Sequence, residues 1–176
     1  MAFWSNLLGY QATWFAVVWS AGRGQAWIGM CACLLFIAWQ WHASDKRAAD
    51  MRVLLTAFAC GLLLDGAMTG SGLLHYATPV PALPAPIWIV LLWGAFAMTL
   101  NHSMAWFSNR PWIAALFAAI GGPLAYLGAS RGFDAVTFPN PPWPALAALS
   151  IGWALSLPLL LRIATWHRHS STGARA

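Results

Sequence analysis

The sequence predicts an all-α, polytopic membrane bundle of about six transmembrane helices. Of its 176 residues, 60% are hydrophobic and only 7% are charged, a balance that ordinary soluble domains of this size do not have. The hydrophobic residues form six runs of about 20 residues, the length that crosses the hydrocarbon core of a bilayer. Most basic residues lie at the ends of these runs, as the loops of membrane proteins require.

A glycine turn and a charged loop separate the first three runs. The first, about 3–21, has no basic segment before it, unlike a secretory signal, and it is long enough to remain as a helix. A turn over 22–24 leads to the second run, about 25–42. The only charge-rich loop, 44–52, precedes the third run, about 52–70. These runs predict three spans that cross the membrane in alternating directions.

Prolines mark the boundaries of the last three runs. Pro86 and Pro111 open runs four and five, about 86–106 and 111–130. Proline suits the first turn of a helix because its missing N–H would have no partner there. A second proline-rich loop precedes the sixth run, about 143–163. The six runs together predict a single transmembrane domain over residues 1–165, followed by a basic tail over 166–176.

The basic residues also predict the orientation of the bundle. Only Arg23 and Arg131 fall on one side of the predicted spans. The other seven of the nine lie on the opposite side, in the second loop, the fourth loop and the tail: Lys46, Arg47, Arg52, Arg110, Arg162, Arg168 and Arg175. Because cytoplasmic loops carry the excess of lysine and arginine, we expect both termini and the tail in the cytoplasm.

Polar residues near the end of the fourth run form the first candidate site. Thr99, Asn101 and His102 interrupt a stretch that is otherwise apolar, and Gln11 lies at a similar depth in the first run. These four residues could line a ligand pocket open to the cytoplasmic leaflet, with His102 and Gln11 facing it and Asn101 bonding a neighbouring helix. The alternative is that all four only join helices by hydrogen bonds.

Asp65 is the second candidate because it is the only acidic residue inside a predicted span. A carboxyl group in lipid must be paired, hydrated or protonated. The cations on its side of the membrane are Arg131 and Arg23, so we expect a buried ion pair with one of them. Proton transfer or binding of a polar head group is the functional alternative.

Several chemical classes find no support. A zinc site needs three or four converging ligands, and only His102 lies deep in a span. No predicted span contains a lysine, which excludes a retinal Schiff base. The basic residues lie at helix ends rather than on one patch, so no nucleic acid is expected as a partner. We therefore expect no metal and no cofactor.

Residues in four of the six runs indicate a resemblance to a known family. They are Asn6, Leu7, Gln11, Trp14, Phe15, Leu64, Asp65, Trp88, Thr99–Ser103 and Gly122–Tyr126. This combination, and above all the Thr-Leu-Asn-His-Ser run, resembles a small bacterial inner-membrane family catalogued as domain of unknown function 2878. The resemblance extends over about residues 6–162. It implies a multi-pass protein of the bacterial cytoplasmic membrane and implies no catalytic residue.

These observations lead to three hypotheses of function. The first is an integral inner-membrane protein that binds, or binds and modifies, a lipid-like or other amphipathic molecule in a polar pocket within the bundle. The second is a non-catalytic scaffold or assembly partner of another membrane protein. The third is a small transporter, which would need to be an oligomer. The sequence leaves open whether the protein is an enzyme and whether it forms a homo-oligomer.

Overall fold

The protein is described by a computed structural model that covers residues 3–80 and 82–166. Its described part is all-helical except for two short strands, so the all-α prediction is confirmed. Six helices form the bundle: α1 (Phe3–Gly22), α2 (Ala26–Ala43), α3 (Arg47–Gly70), α4 (Ile87–Leu100), α5 (Pro111–Phe133) and α6 (Trp143–Thr165). The predicted basic tail lies outside the described residues, apart from Trp166.

Four of these helices, α2, α3, α5 and α6, are long and apolar enough to cross a membrane. Only 22–33% of the most apolar stretch of each is buried inside the protein. Large apolar side chains such as Leu35, Leu63 and Trp112 are 72–86% exposed. An apolar surface of this extent is unfavourable in water and favourable in lipid, so the helices fit a membrane protein.

Helix α4 lies at the centre of the bundle, where it packs against α1, α2, α3 and α6. Eleven of its fourteen residues are buried. A helix that is apolar all round is stable only when other helices or lipid surround it, and here other helices supply most of that cover. The polar residues that follow α4 are therefore held by the bundle rather than by lipid.

The fourth helix is shorter than the sequence predicts, because it ends at Leu100 instead of about 106. A turn follows, in which the N–H groups of His102 and Met104 both donate to the carbonyl of Thr99, and a short 3-10 helix then runs over Ala105–Asn109. The side chains of Asn101 and Ser103 bond to other helices, and such bonds compete with helix formation. The predicted continuous helix through His102 was therefore wrong.

Helix α3 also departs from its predicted bounds, since it begins at Arg47 rather than at about 52. Asp50 lies in its first turn, where a carboxylate interacts favourably with the positive end of the helix dipole. The segment treated as a charged loop is thus partly helical. This places Asp50 inside the bundle.

Two proline-rich loops meet at the opposite end of the bundle. Strand β1 (His75–Tyr76) pairs antiparallel with β2 (Val136–Thr137), with Tyr76 opposite Val136. His75 points outward and Tyr76 inward. Two-residue strands leave too little pattern to be recognised in a sequence. Their pairing carries the Tyr76 side chain into the bundle, toward Asp65.

Candidate functional site

A cavity of about 440 Å³, the apolar cavity, lies between α1, α4, α5 and α6. Its wall is mainly aliphatic and aromatic, with Gln11 and the two tyrosines Tyr10 and Tyr126 as its polar members. Pockets of this size with a few polar groups in an apolar wall are typical of small-molecule sites. The aromatic part of the wall includes Trp14, Trp88, Trp93, Phe96 and Trp153.

The apolar cavity opens sideways, between α1 and α5. Several residues that line it are also exposed on the outer surface of the protein: Phe15 on α1 by 52%, and Phe117 and Leu124 on α5 by 51% and 59%. The two helices approach each other near the strand end of the bundle, where the ring centroids of Trp14 and Phe133 are 6.1 Å apart. The mouth therefore faces the medium that surrounds the helices.

Asp65 lies directly behind the wall of this cavity and is fully buried. The hydroxyl groups of Tyr126 and Tyr76 donate to its Oδ1 at 2.5 and 2.6 Å. The indole N–H of Trp93 donates to its Oδ2 at 2.7 Å. Trp93 and Tyr126 are also wall residues, so the carboxyl group fixes two side chains that a ligand would touch.

These three donors take the place of the arginine that we expected beside Asp65. Among the described residues, neither Arg23 nor Arg131 forms an ion pair with it. Both arginines are exposed, and the Arg23 guanidinium lies 4.6 Å from the centroid of the Trp19 ring. Tyrosine and tryptophan bring a donor into an apolar interior on a mostly apolar body, which avoids burying a cation. The predicted ion pair was therefore wrong.

Tyr76 acts as a donor in this cluster because it keeps its proton. Burial raises the pKa of the Tyr76 hydroxyl, and the neighbouring Tyr126 and Asp65 raise it further. A phenol whose pKa is raised keeps the O–H that it donates to the carboxyl group. The pairing of β1 with β2 thus completes the set of donors around Asp65.

A second polar cluster surrounds Asp50 at the other end of the bundle. The fully buried carboxylate accepts bonds from Ser44 Oγ at 2.5 Å and Asn101 Nδ2 at 2.8 Å. His102 Nε2 lies 3.4 Å from its Oδ2. Sequence reasoning missed Asp50 because it placed the residue in a solvated loop. The only signal was that Asp50 follows two alanines at the expected edge of a span.

Asn6 joins three further parts of the chain near this cluster. Its Nδ2 donates to Gln40 Oε1 at 2.7 Å and to the carbonyl of Met98 at 3.0 Å. Its Oδ1 accepts from Ser103 Oγ at 2.5 Å. In the sequence, Asn6 stands out only through the family resemblance, and Gln40 does not stand out. Both are amides inside apolar runs, which is the signal that could have found them.

The four residues expected to share one pocket are divided between different places. Gln11 lines the apolar cavity. Asn101 and His102 line a separate cavity of about 310 Å³, the polar cavity, with Phe3, Ala43, Asp45, Lys46 and Ala105. Thr99 lines neither, and its hydroxyl donates to the carbonyl of Phe96 at 2.7 Å. His102 and Gln11 are separated because α4 ends at Leu100. The turn that follows takes His102 off the helical face on which it was expected to share a pocket with Gln11.

Comparison with protein families gives one match, which covers residues 3–159 and is described as a protein of unknown function (DUF2878). The chain belongs to the DUF2878 family. The resemblance seen in the sequence is thereby confirmed. No curated protein and no solved structure matches the chain.

The DUF2878 match includes every residue that lines the apolar or the polar cavity. Both cavities are therefore built within the family's own region rather than from an added segment. The family description assigns no activity, so the features that bear on function are these two cavities and the polar clusters beside them.

Proposed function

We propose that this DUF2878 protein binds a lipid-like, largely apolar molecule in the apolar cavity. The observation that supports the proposal is the cavity itself, with its volume of about 440 Å³ and its aromatic and aliphatic wall. Transfer of apolar surface out of water is favourable, and an apolar pocket is poorly occupied by water. An apolar ligand is the occupant that such a wall favours.

The position of the mouth supports entry from the bilayer. Phe15, Phe117 and Leu124 are wall residues that also face outward between α1 and α5. A hydrophobic molecule dissolved in lipid would reach the cavity through this mouth without crossing water. Gln11, Tyr10 and Tyr126 supply the few polar contacts that orient an amphipathic ligand.

The setting we propose is the bacterial cytoplasmic membrane, with the chain as a multi-pass protein and both termini inside. This orientation is supported by the excess of basic residues at the end of the bundle that carries Lys46, Arg110 and Arg162. The opposite end, where the two strands pair, carries Arg23 and Arg131. The polar cavity would then lie on the cytoplasmic side.

A scaffold function is the second candidate, and a different observation favours it. Asn6 donates a hydrogen bond to Gln40 and accepts one from Ser103. Asp65 accepts hydrogen bonds from Trp93 of α4 and Tyr126 of α5. Interhelical bonds of this kind lock a bundle without any ligand. On this alternative the apolar cavity would hold only exchangeable membrane lipid.

A cavity-filling variant separates the two candidates. Gly121 lines the apolar cavity, and a Cβ added there meets no described atom within 4 Å. Gly132 lies on the same helix with the same open surroundings, but it does not line the cavity. Gly121→Leu should fill the space, whereas Gly132→Leu is the matched control.

The measurement is the lipid content of the purified protein in mild detergent, by extraction and quantitative mass spectrometry. We expect a defined co-purifying molecule in the wild-type chain and in Gly132→Leu, with most of it lost from Gly121→Leu. An identical complement of bulk membrane lipid in all three proteins would refute the binding proposal and favour the scaffold.

A further inference from the structure

The polar cavity has a composition unlike that of the apolar cavity, and the two share no wall residue. It lies where the start of α1, the end of α2 and the turn after α4 come together. Phe3 and Ala43 form its apolar edge, while Asp45, Lys46 and His102 bring titratable groups to it. It is therefore a second site whose chemistry can be considered independently of the proposed function.

Opposite charges stand side by side in this wall. Asp45 and Lys46 are consecutive, exposed residues. The Lys46 ammonium donates one bond to the carbonyl of Asn101 at 3.3 Å, and an ammonium group has three donors. The remaining N–H groups can bind an anion. The Asp45 carboxylate next to it can accept from a cation.

His102 adds a third group whose orientation is fixed from behind. Its Nε2 faces Asp50 Oδ2 at 3.4 Å, and Asp50 is itself held by Ser44 and Asn101. The other ring nitrogen is left for a ligand, because a carboxylate on one nitrogen sets the tautomer and direction of the ring. The side chain is 12% exposed and lines the polar cavity.

The level of the polar cavity in the bundle points to a lipid head group. Its wall is built from helix ends and turns, which lie at the head-group level when helices cross a bilayer. Exposed arginines stand at the same end, namely Arg47, Arg110 and Arg162. Such residues attract anionic groups at the membrane surface. Phe3, half exposed beside the cavity, can contact the first part of an acyl chain.

We propose that the polar cavity binds the head group of a phospholipid that carries both a phosphate and a primary ammonium, as in phosphatidylethanolamine. Lys46 binds the phosphate, and Asp45 pairs with the ammonium. The Nε2–H of His102 faces Asp50, so its Nδ1 is an acceptor and suits the ammonium rather than the phosphate. A glycerol head group gives Asp45 no cation. A choline head group has a cation without N–H donors, so it cannot hydrogen-bond the Asp45 carboxylate.

Binding of short-chain phospholipids to the full chain in detergent tests the proposal. The three lipids have identical acyl chains and ethanolamine, choline or glycerol head groups, and dissociation constants are measured by native mass spectrometry. We expect the ethanolamine lipid to bind about 2- to 5-fold more tightly than the other two, the effect of one partly exposed ion pair. Equal binding of all three lipids would overturn the proposal.

Two variants and a matched control locate the effect. Asp45→Asn should abolish the preference for ethanolamine over glycerol, and Lys46→Ala should weaken both lipids. Arg162→Ala removes an exposed cation at the same end that does not line the cavity, so it should change neither. If Arg162→Ala acts like Lys46→Ala, the effect is general surface charge and the assignment is wrong. Soluble phosphoethanolamine that binds as tightly as the lipid would overturn the lipid assignment.

Discussion

Trp93 of α4 donates its indole N–H to Asp65 of α3 across 2.7 Å. The same indole stacks on Trp153 of α6, with ring centroids 4.3 Å apart and planes 11° from parallel. One side chain thus joins three helices and forms part of the wall of the apolar cavity. The buried carboxyl group and the shape of the cavity are therefore coupled.

Removing a donor from Asp65 should lower the free energy of unfolding. Tyr126→Phe leaves the shape of the site almost unchanged and deprives a fully buried acceptor of one bond. We expect a loss of about 1–3 kcal/mol, measured by reversible unfolding in detergent. Arg131→Ala is the control, since Arg131 is exposed and does not pair with Asp65. Equal losses in both variants would restore the ion pair as the explanation.

The Trp93 indole packs directly against Gly61 of α3, where a larger residue would not fit. A Cβ at Gly61 would lie 2.6 Å from the Trp93 ring, and the ring cannot yield because Asp65 and Trp153 hold it. Gly61→Ala should therefore lower the unfolding free energy by about 1–3 kcal/mol. Gly70→Ala, on the same helix with open space around it, should change it little. A tolerated Gly61→Ala would show that the indole stack is mobile.

The cluster around Asp50 gives a third prediction. Asn101→Leu removes a donor from a fully buried carboxylate, so we expect the unfolding free energy to fall by about 1–3 kcal/mol. Asn109→Leu changes the same residue type at an exposed position nearby, and its effect should stay within about 0.5 kcal/mol. If the two variants are equally stable, Asp50 does not depend on Asn101.

Much of the fold could be predicted because a helix that crosses a bilayer needs an apolar run of about 20 residues. The six apolar runs correspond to the six helices, and four of these, α2, α3, α5 and α6, are long and apolar enough to cross a membrane. Two segments differed from the prediction. One was the start of α3, where the charged segment from Arg47 is helical. The other was the segment after Leu100, where composition alone favoured a longer helix. The polar side chains there bond to partners far away in sequence: Asn101 to Asp50, 51 residues distant, and Ser103 to Asn6, 97 residues distant. No local pattern contains that information.

The candidate site was predicted less well, for a related reason. Asn101 is buried and His102 is partly buried, but Gln11 is exposed at the edge of the apolar cavity. Depth along a helix does not give the side that a residue faces. The donors around Asp65 could not be predicted either. Tyr76 reaches it only because two short strands pair across distant loops. Tyr126 stands out only as part of the family resemblance, and nothing near Tyr126 or Trp93 in the sequence marks either residue as a partner of Asp65.

The orientation of the chain can be tested with single cysteines. Cys31, Cys33 and Cys60 would first be replaced by alanine. A membrane-impermeant maleimide should then label Asn140→Cys in intact cells and label Asp45→Cys only after permeabilisation, because basic loops stay in the cytoplasm. Both positions are exposed. Labelling of Asp45→Cys in intact cells would reverse the orientation and place the polar cavity in the outer leaflet.

The central claim is that a lipid-like molecule occupies the apolar cavity, and photo-crosslinking tests it most directly. A long-chain alcohol with a diazirine near its end would be incorporated into membranes that contain the protein, and the adducts would be mapped by peptide mass spectrometry. We predict adducts on buried wall residues such as Leu92, Trp93 and Leu157, reduced in Gly121→Leu and retained in Gly132→Leu. Adducts found only on outward-facing residues such as Leu35 and Leu63 would contradict the claim.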